Sequence, residues 1–181
     1  MRRFESFIGT KDLRKVSPDP GLAESLTKDA QQRSKLILQL PLSKESATLV
    51  FEQIYESLRQ CIDALLALKG YKSYSHVASI AFLQTCKEFS EGDIQKMDNA
   101  REKRNLAKYY AKQVEVTETQ DLIVFYHQIK PRLDALYQQV SGTQSSLSPS
   151  NALSQKQRAP SQGYPSQNES TNDRHSDDSS Q

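Results

Sequence analysis

The sequence predicts an all-α fold, an up-and-down antiparallel bundle of about five helices followed by a disordered tail. Three observations carry that prediction. Apolar residues recur three and four apart in long stretches, most clearly from Ala47 to Leu66 and again from Leu122 to Val140. No segment alternates with period two for long enough to make a convincing strand. At Ser141 the composition turns to Ser, Gln, Asn, Pro and Gly with few large apolar residues, so residues 141–181 cannot bury enough surface to offset their ordering entropy.

Residues 1–20 read as a short packed arm. Phe4, Phe7, Ile8, Leu13 and Val16 are scattered apolar positions, and Pro18-Asp19-Pro20 forms a turn, because proline restrains the residue before it away from helix. A first helix runs from Gly21, with Leu22, Leu26, Ala30, Ile37 and Leu40 roughly on one face, and stops at Pro41. Ser43 is placed to cap the second helix, with Glu45 in its first turn. That helix holds Ala47, Val50, Phe51, Ile54, Tyr55, Leu58, Cys61, Ile62, Leu65 and Leu66 on one stripe, widened by Leu49, Ala64 and Leu68. It belongs at the centre of the bundle and ends at Gly70.

A polar, aromatic connection follows, Tyr71 to His76. Ser75 then opens a third helix, with Val77, Ile80 and Ala81 on one side and Phe82, Cys86 and Phe89 on the other. Ser90-Glu91-Gly92-Asp93 reads as a break, and a fourth helix runs from Ile94 to Val114. Thr117 and Gln120 fit a capping box for the fifth helix, whose seam is Leu122, Tyr126, Ile129, Leu133, Leu136 and Val140. Pro131 lies inside it and is expected to kink or split it. The domain proper is 21–140, enough ordered chain for one core.

A net charge of +2 on 181 residues excludes a polycation that coats nucleic acid, so any basic function is local. Cys61 and Cys86 lack zinc-ligand spacing and read as reduced, buried hydrophobes. Asp and Glu are scattered, and there is no Gly-rich phosphate loop, GxSxG or HExxH, so neither metal nor cofactor is expected. The first residues lack the apolar region of a signal peptide, and no apolar run approaches membrane-spanning length, which predicts a soluble cytoplasmic protein without a membrane partner.

The local basic feature is the fourth helix. On a wheel of 3.6 residues per turn, Arg101, Arg104, Asn105, Lys108 and Lys112 share a sector with Tyr109 at its edge, while Leu106, Tyr110 and Val114 point elsewhere, toward the core. Such a face is either a solvated surface or an anion site. Arg forks onto phosphate oxygens, Asn donates and accepts, and a phenol donates or stacks. Arg101, Lys108 and Lys112 would add steering charge.

Residues 4–138 resemble the HEPN family (higher eukaryotes and prokaryotes nucleotide-binding), particularly its small prokaryotic members. The likeness rests on Leu13 to Pro20, on Ile54-Tyr55 in the long helix ending Leu68-Lys69-Gly70-Tyr71, on Ser75-His76, and on Arg104-Asn105-Leu106-Ala107-Lys108-Tyr109-Tyr110. The resemblance implies a homodimer in which the Arg motifs of two copies meet in one cleft. Active members look like metal-independent ribonucleases built on Arg, a polar residue and a later His. Arg104 and Asn105 match the start of that motif, and Tyr109 stands at the His position. A phenol titrates about three units above imidazole and is a poor unassisted base. Some toxin members also carry a Tyr two places after the His, modified by a nucleotidyltransferase partner; here that place is Ala111, with Tyr110 one residue early. His76 is expected in a helix-start packing role, and His127 partly exposed on the fifth helix.

Three readings follow. The chain is an RNA- or nucleotide-binding dimer, with Arg104 and Asn105 on the phosphate and Tyr109 as donor or stacking platform and with a degenerate or weak ribonuclease motif. Alternatively, it is a non-catalytic interaction module that docks on a nucleotidyltransferase-type partner, as in toxin-antitoxin pairs. The third is a plain helical scaffold, which composition alone does not separate from the others.

Overall fold

The computed structural model describes residues 1–145. They form an all-α bundle of five helices, α1 (Pro20–Ile37), α2 (Ala47–Leu68), α3 (His76–Ala81), α4 (Glu91–Tyr110) and α5 (Val116–Ser145). Two short strands, β1 (Leu13–Lys15) and β2 (Tyr71–Ser73), join them. The expected disorder of 146–181 lies outside the described residues. Its expected start at Ser141 is corrected: α5 continues to Ser145, because Ser and Gln are tolerated in a helix already propagating from a packed seam.

α2 is the central rod, packed most extensively on α1 and α5. Its stripe is buried as expected, including Ala64 and Leu68, but Leu49 is exposed. It begins at Ala47 rather than at Ser43. Ser46 is the preceding residue, and its hydroxyl is engaged with Pro41 O (2.7 Å) and the Ser43 N–H (2.9 Å), so Ser43 and Glu45 belong to the turn before the helix. At the other end Gly70 adopts φ 75°, and a Cβ there would meet Val16 O at 2.7 Å. Both the backbone conformation and the close approach require glycine.

α1 starts one residue before the expected Gly21. Pro20 sits at its first positions, and Asp19 Oδ1 accepts from Leu22 N–H at 2.8 Å. It ends at Ile37, short of Pro41, as Gln39 and Leu40 wind into tighter turns on Leu36 and Ile37. Its buried face is narrower than expected: Ala23, Ala30, Ser34 and Ile37 are buried, while Leu22 and Leu40 are exposed. Small residues let the helix approach α2 closely, and Ser57 Oγ donates to Ala30 O at 2.8 Å across the contact.

The N-terminal arm is part of the core, with Phe4, Phe7 and Leu13 buried and Ile8 and Val16 exposed. The strands contradict the expectation of none: β1 pairs antiparallel with β2, Leu13 opposite Ser73 and Lys15 opposite Tyr71. Three residues are too few for an alternating signal, and the partners are far apart in sequence. The third helix is also shorter than expected, because α3 tightens into a 3-10 turn at Phe82–Thr85 before the chain straightens.

Ser90 to Asp93 is a start, not a break. Ser90 and Asp93 form a reciprocal capping box, Asp93 N–H to Ser90 Oγ at 3.2 Å and Ser90 N–H to Asp93 Oδ2 at 2.8 Å. α4 ends at Tyr110, where Ala111 turns left-handed (φ 51°), so Lys112 and Val114 are not on the helix as expected. Val114 is buried, and its N–H donates to Thr48 Oγ1 at 2.9 Å. The capping box expected at Thr117 and Gln120 is displaced: the Glu118 carboxylate accepts from Glu115 N–H (3.2 Å), and Thr119 Oγ1 donates to Ala47 O (3.1 Å). α5 is a single helix through Pro131. Burial of Leu122, Phe125, Tyr126, Ile129 and Leu133 holds both sides of the proline against the core. No helix among the described residues is long and apolar enough to cross a membrane.

Candidate anion site on the fourth helix

α4 buries only Ile94, Met97, Ala100 and Ala107. The expected separation of a core side from a charged side is corrected at two positions: Leu106 is 39% exposed and Tyr110 77%. Ala100 and Ala107 take the core side, so the face turned to solvent carries apolar and aromatic groups among the cations. Tyr109 is 68% exposed.

The basic residues divide by partner. Arg101 is neutralised within its own helix, Nε to Asp98 Oδ1 at 2.6 Å and NH2 to Glu102 Oε1 at 3.2 Å. Lys103 pairs with Glu118 of α5. Arg104 is half-buried and makes no ion pair among the described residues; its NH1 donates to Asn105 Oδ1 at 3.4 Å. Lys108 lies 5.9 Å from the centre of the Tyr109 ring, likewise without a carboxylate partner among the described residues. Lys112 is exposed beyond the helix end, within electrostatic reach of Glu118. The structure therefore brings Arg104 to Asn105 and Lys108 to Tyr109. No hydrogen bond joins Tyr109 to either Arg104 or Asn105.

Behind Arg104 stands a polar cluster that the sequence reading did not assemble. Arg59 of α2 pairs with both Glu56 and Asp63. Asp63 accepts from Ser79 Oγ of α3 at 2.6 Å. Tyr55, fully buried, has its hydroxyl 3.0 Å from His76 Nδ1, and the two rings stack with centres 5.8 Å apart. Burial pushes the Tyr55 phenol up. Burial also lowers His76, to about 4, assisted by the charges of Arg59, Arg104 and Arg101 against the opposing effect of Glu56. Glu56 is pushed up by burial, but the hydrogen bond and charge of Arg59, with His76 and Arg104 behind, hold it below its ordinary value. Asp63 is raised by burial. A signal was present: Glu56, Arg59 and Asp63, three and four apart, interrupt the most apolar helix of the chain.

His127 is exposed on α5 with its ring against Tyr126. Cys61 is buried, its thiol pushed up to about 12 by burial, while Cys86 is only half-buried; both are free. Comparison with protein-family models finds no match, and neither does comparison with curated proteins.

Proposed function

We propose that this chain is a HEPN-like homodimer that binds RNA or a nucleotide through phosphate at the C-terminal half of α4, with a degenerate or weak metal-independent ribonuclease motif. The observation that carries this reading is the state of Arg104. Its neighbours Arg101 and Lys103 are each in ion pairs with carboxylates, whereas Arg104 is half-buried, makes no ion pair among the described residues and feels Glu56 only at longer range. A cation withdrawn partly from water calls for an anion, and Asn105 beside it adds a neutral donor for the same oxygens. Tyr109 and Tyr110 present ring faces on which a base can stack. Lys108 and Lys112 strengthen the approach of a polyanion.

Cleavage is weak in this reading, because the motif's imidazole is replaced by the phenol of Tyr109. The exposed apolar end of α4, Leu106 with Tyr109 and Tyr110, favours a second reading. There the same surface docks a protein partner of nucleotidyltransferase type without chemistry of its own.

The test is fluorescence anisotropy of a short single-stranded RNA with wild type and Arg104→Ala, at several salt concentrations and in chelator, with products resolved on a gel. Loss of a charge-assisted phosphate contact weakens binding about tenfold or more, and flattens the salt dependence by about one phosphate's worth of counterion release. Equal affinity and equal salt slope in the two proteins contradict the phosphate role. Equal cleavage by the two proteins removes the catalytic version alone.

A further inference from the structure

We propose that His76 of α3, rather than Tyr109, is the second phosphate-binding group beside Arg104, its Nε2–H donating to a nonbridging oxygen of the bound nucleotide or RNA. This rests on the reading above, and names a residue from a different helix as part of the same site.

Tyr55 fixes the tautomer of His76. Its side chain is fully buried, and among the described residues the only partner of its hydroxyl is His76 Nδ1 at 3.0 Å. If the imidazole donated across this contact, the phenol hydrogen would be left inside the protein with no acceptor. The phenol therefore donates, Nδ1 accepts, and the ring proton sits on Nε2. Nε2 has no partner among the described residues. Yet every buried side-chain nitrogen and oxygen described has a partner. His76 is only half-buried, so Nε2 reaches solvent. The outcome is a neutral imidazole clamped from behind, with one N–H turned to where a ligand can enter.

Charge decides what that ligand is. Three guanidinium groups and one opposing carboxylate act on the ring: Arg59 and Glu56 from α2, and Arg104 and Arg101 from α4. Arg59 is neutralised by Glu56 and Asp63, and Arg101 by Asp98 and Glu102. Arg104 alone of the three makes no ion pair among the described residues, with Glu56 within its electrostatic reach. A neutral donor and a guanidinium without an ion pair, within electrostatic reach of one another, suit a phosphate, which accepts from both. A purely structural Tyr55–His76 lock would leave Nε2 indifferent to ligands. An arriving phosphate also offsets the cationic field on the ring, so binding raises the His76 pKa.

The experiment is a long-range proton–nitrogen correlation spectrum of the imidazoles in the full-length 15N-labelled protein, titrated with 5′-AMP and with hexauridylate. Wild type is compared with Arg104→Ala. The expected result is a saturable shift of His76 Nε2, with His127 and His175 unmoved, and a midpoint at least tenfold higher in Arg104→Ala. A shift of the backbone amides of residues 104 to 109 with His76 Nε2 fixed overturns this inference and leaves the proposed function standing. His76 shifting identically in Arg104→Ala overturns the pairing of the two residues. No shift of any of these groups at millimolar probe overturns both.

Discussion

α2 and α4 are helices of similar length, 22 and 20 residues, put to opposite uses. Fifteen residues of α2 are buried, against four of α4. The charges of α2 are turned inward on one another, Arg59 on Glu56 and Asp63. Those of α4 are partly spare, with Arg104 and Lys108 in no ion pair among the described residues. The contrast teaches where stability and where binding reside. A helix gripped by α1 and α5 along its length supplies much of the buried apolar surface that stabilises the fold, while one that buries only four side chains keeps a face free for a ligand.

The largest expected effect breaks the α2 side of this comparison. Leu58 is fully buried on the central rod, and Leu58→Ala should destabilise the protein by about 3 kcal/mol through lost transfer energy and a residual cavity. Denaturant unfolding monitored by far-UV circular dichroism measures it, and a change below about 1 kcal/mol would contradict the central role of α2.

A smaller effect tests the joint between the two helices. His76 titrates at about 4 in the fold against 6.5 unfolded. The unfolded chain therefore takes up the proton first as pH falls, and the contribution of His76 is full above 6.5 and lost progressively down to 4. Discounted for the partial exposure of the ring, that loss is about 2 kcal/mol. Carboxylates held low, such as Asp93 at about 2, add their own losses at still lower pH, so the quantity to read is a difference. Between pH 6.5 and 4, His76→Gln should lose less stability than wild type. Parallel curves would show the imidazole to be solvated in the fold.

The smallest effect belongs to α4. Leu106→Ala should change stability by no more than about 0.5 kcal/mol, because the side chain is 39% exposed. Unfolding in urea beside Leu58→Ala gives the contrast directly; a loss of similar size in both would erase it.

Much of this was legible in the sequence because burial writes itself as periodicity. The α2 stripe and the α5 seam were both evident, and Gly70 marked the end of α2 correctly. The misreadings share a cause, which is that local signals compete. Ser90 to Asp93 looks like a breaker by composition and is a capping box by geometry. Pro131 suggests a split, yet packing on both sides carries the helix through. The strands are too short to alternate, and Ala111 turns left-handed without the glycine that would announce it. At the site, the adjacency of Arg104 and Asn105 is a fact of the chain and was readable. The pairing of Arg101 with Asp98, three residues earlier on the same helix, was readable too, but that of Lys103 with Glu118 was not, since it needs α4 and α5 folded together. The Tyr55–His76 contact joins residues 21 positions apart on different helices, and no local pattern predicts it.

The most direct measurement of the central claim is an amide chemical-shift map of the 15N-labelled protein on addition of single-stranded RNA. The account predicts shifts concentrated on residues 101 to 112 of α4 and its end, together with His76. Shifts gathered instead in the cleft lined by Lys96, Lys103 and Gln128 between α4 and α5, or on the basic strand pair at Arg14 and Lys72, with Arg104 and its neighbours unmoved, would contradict it.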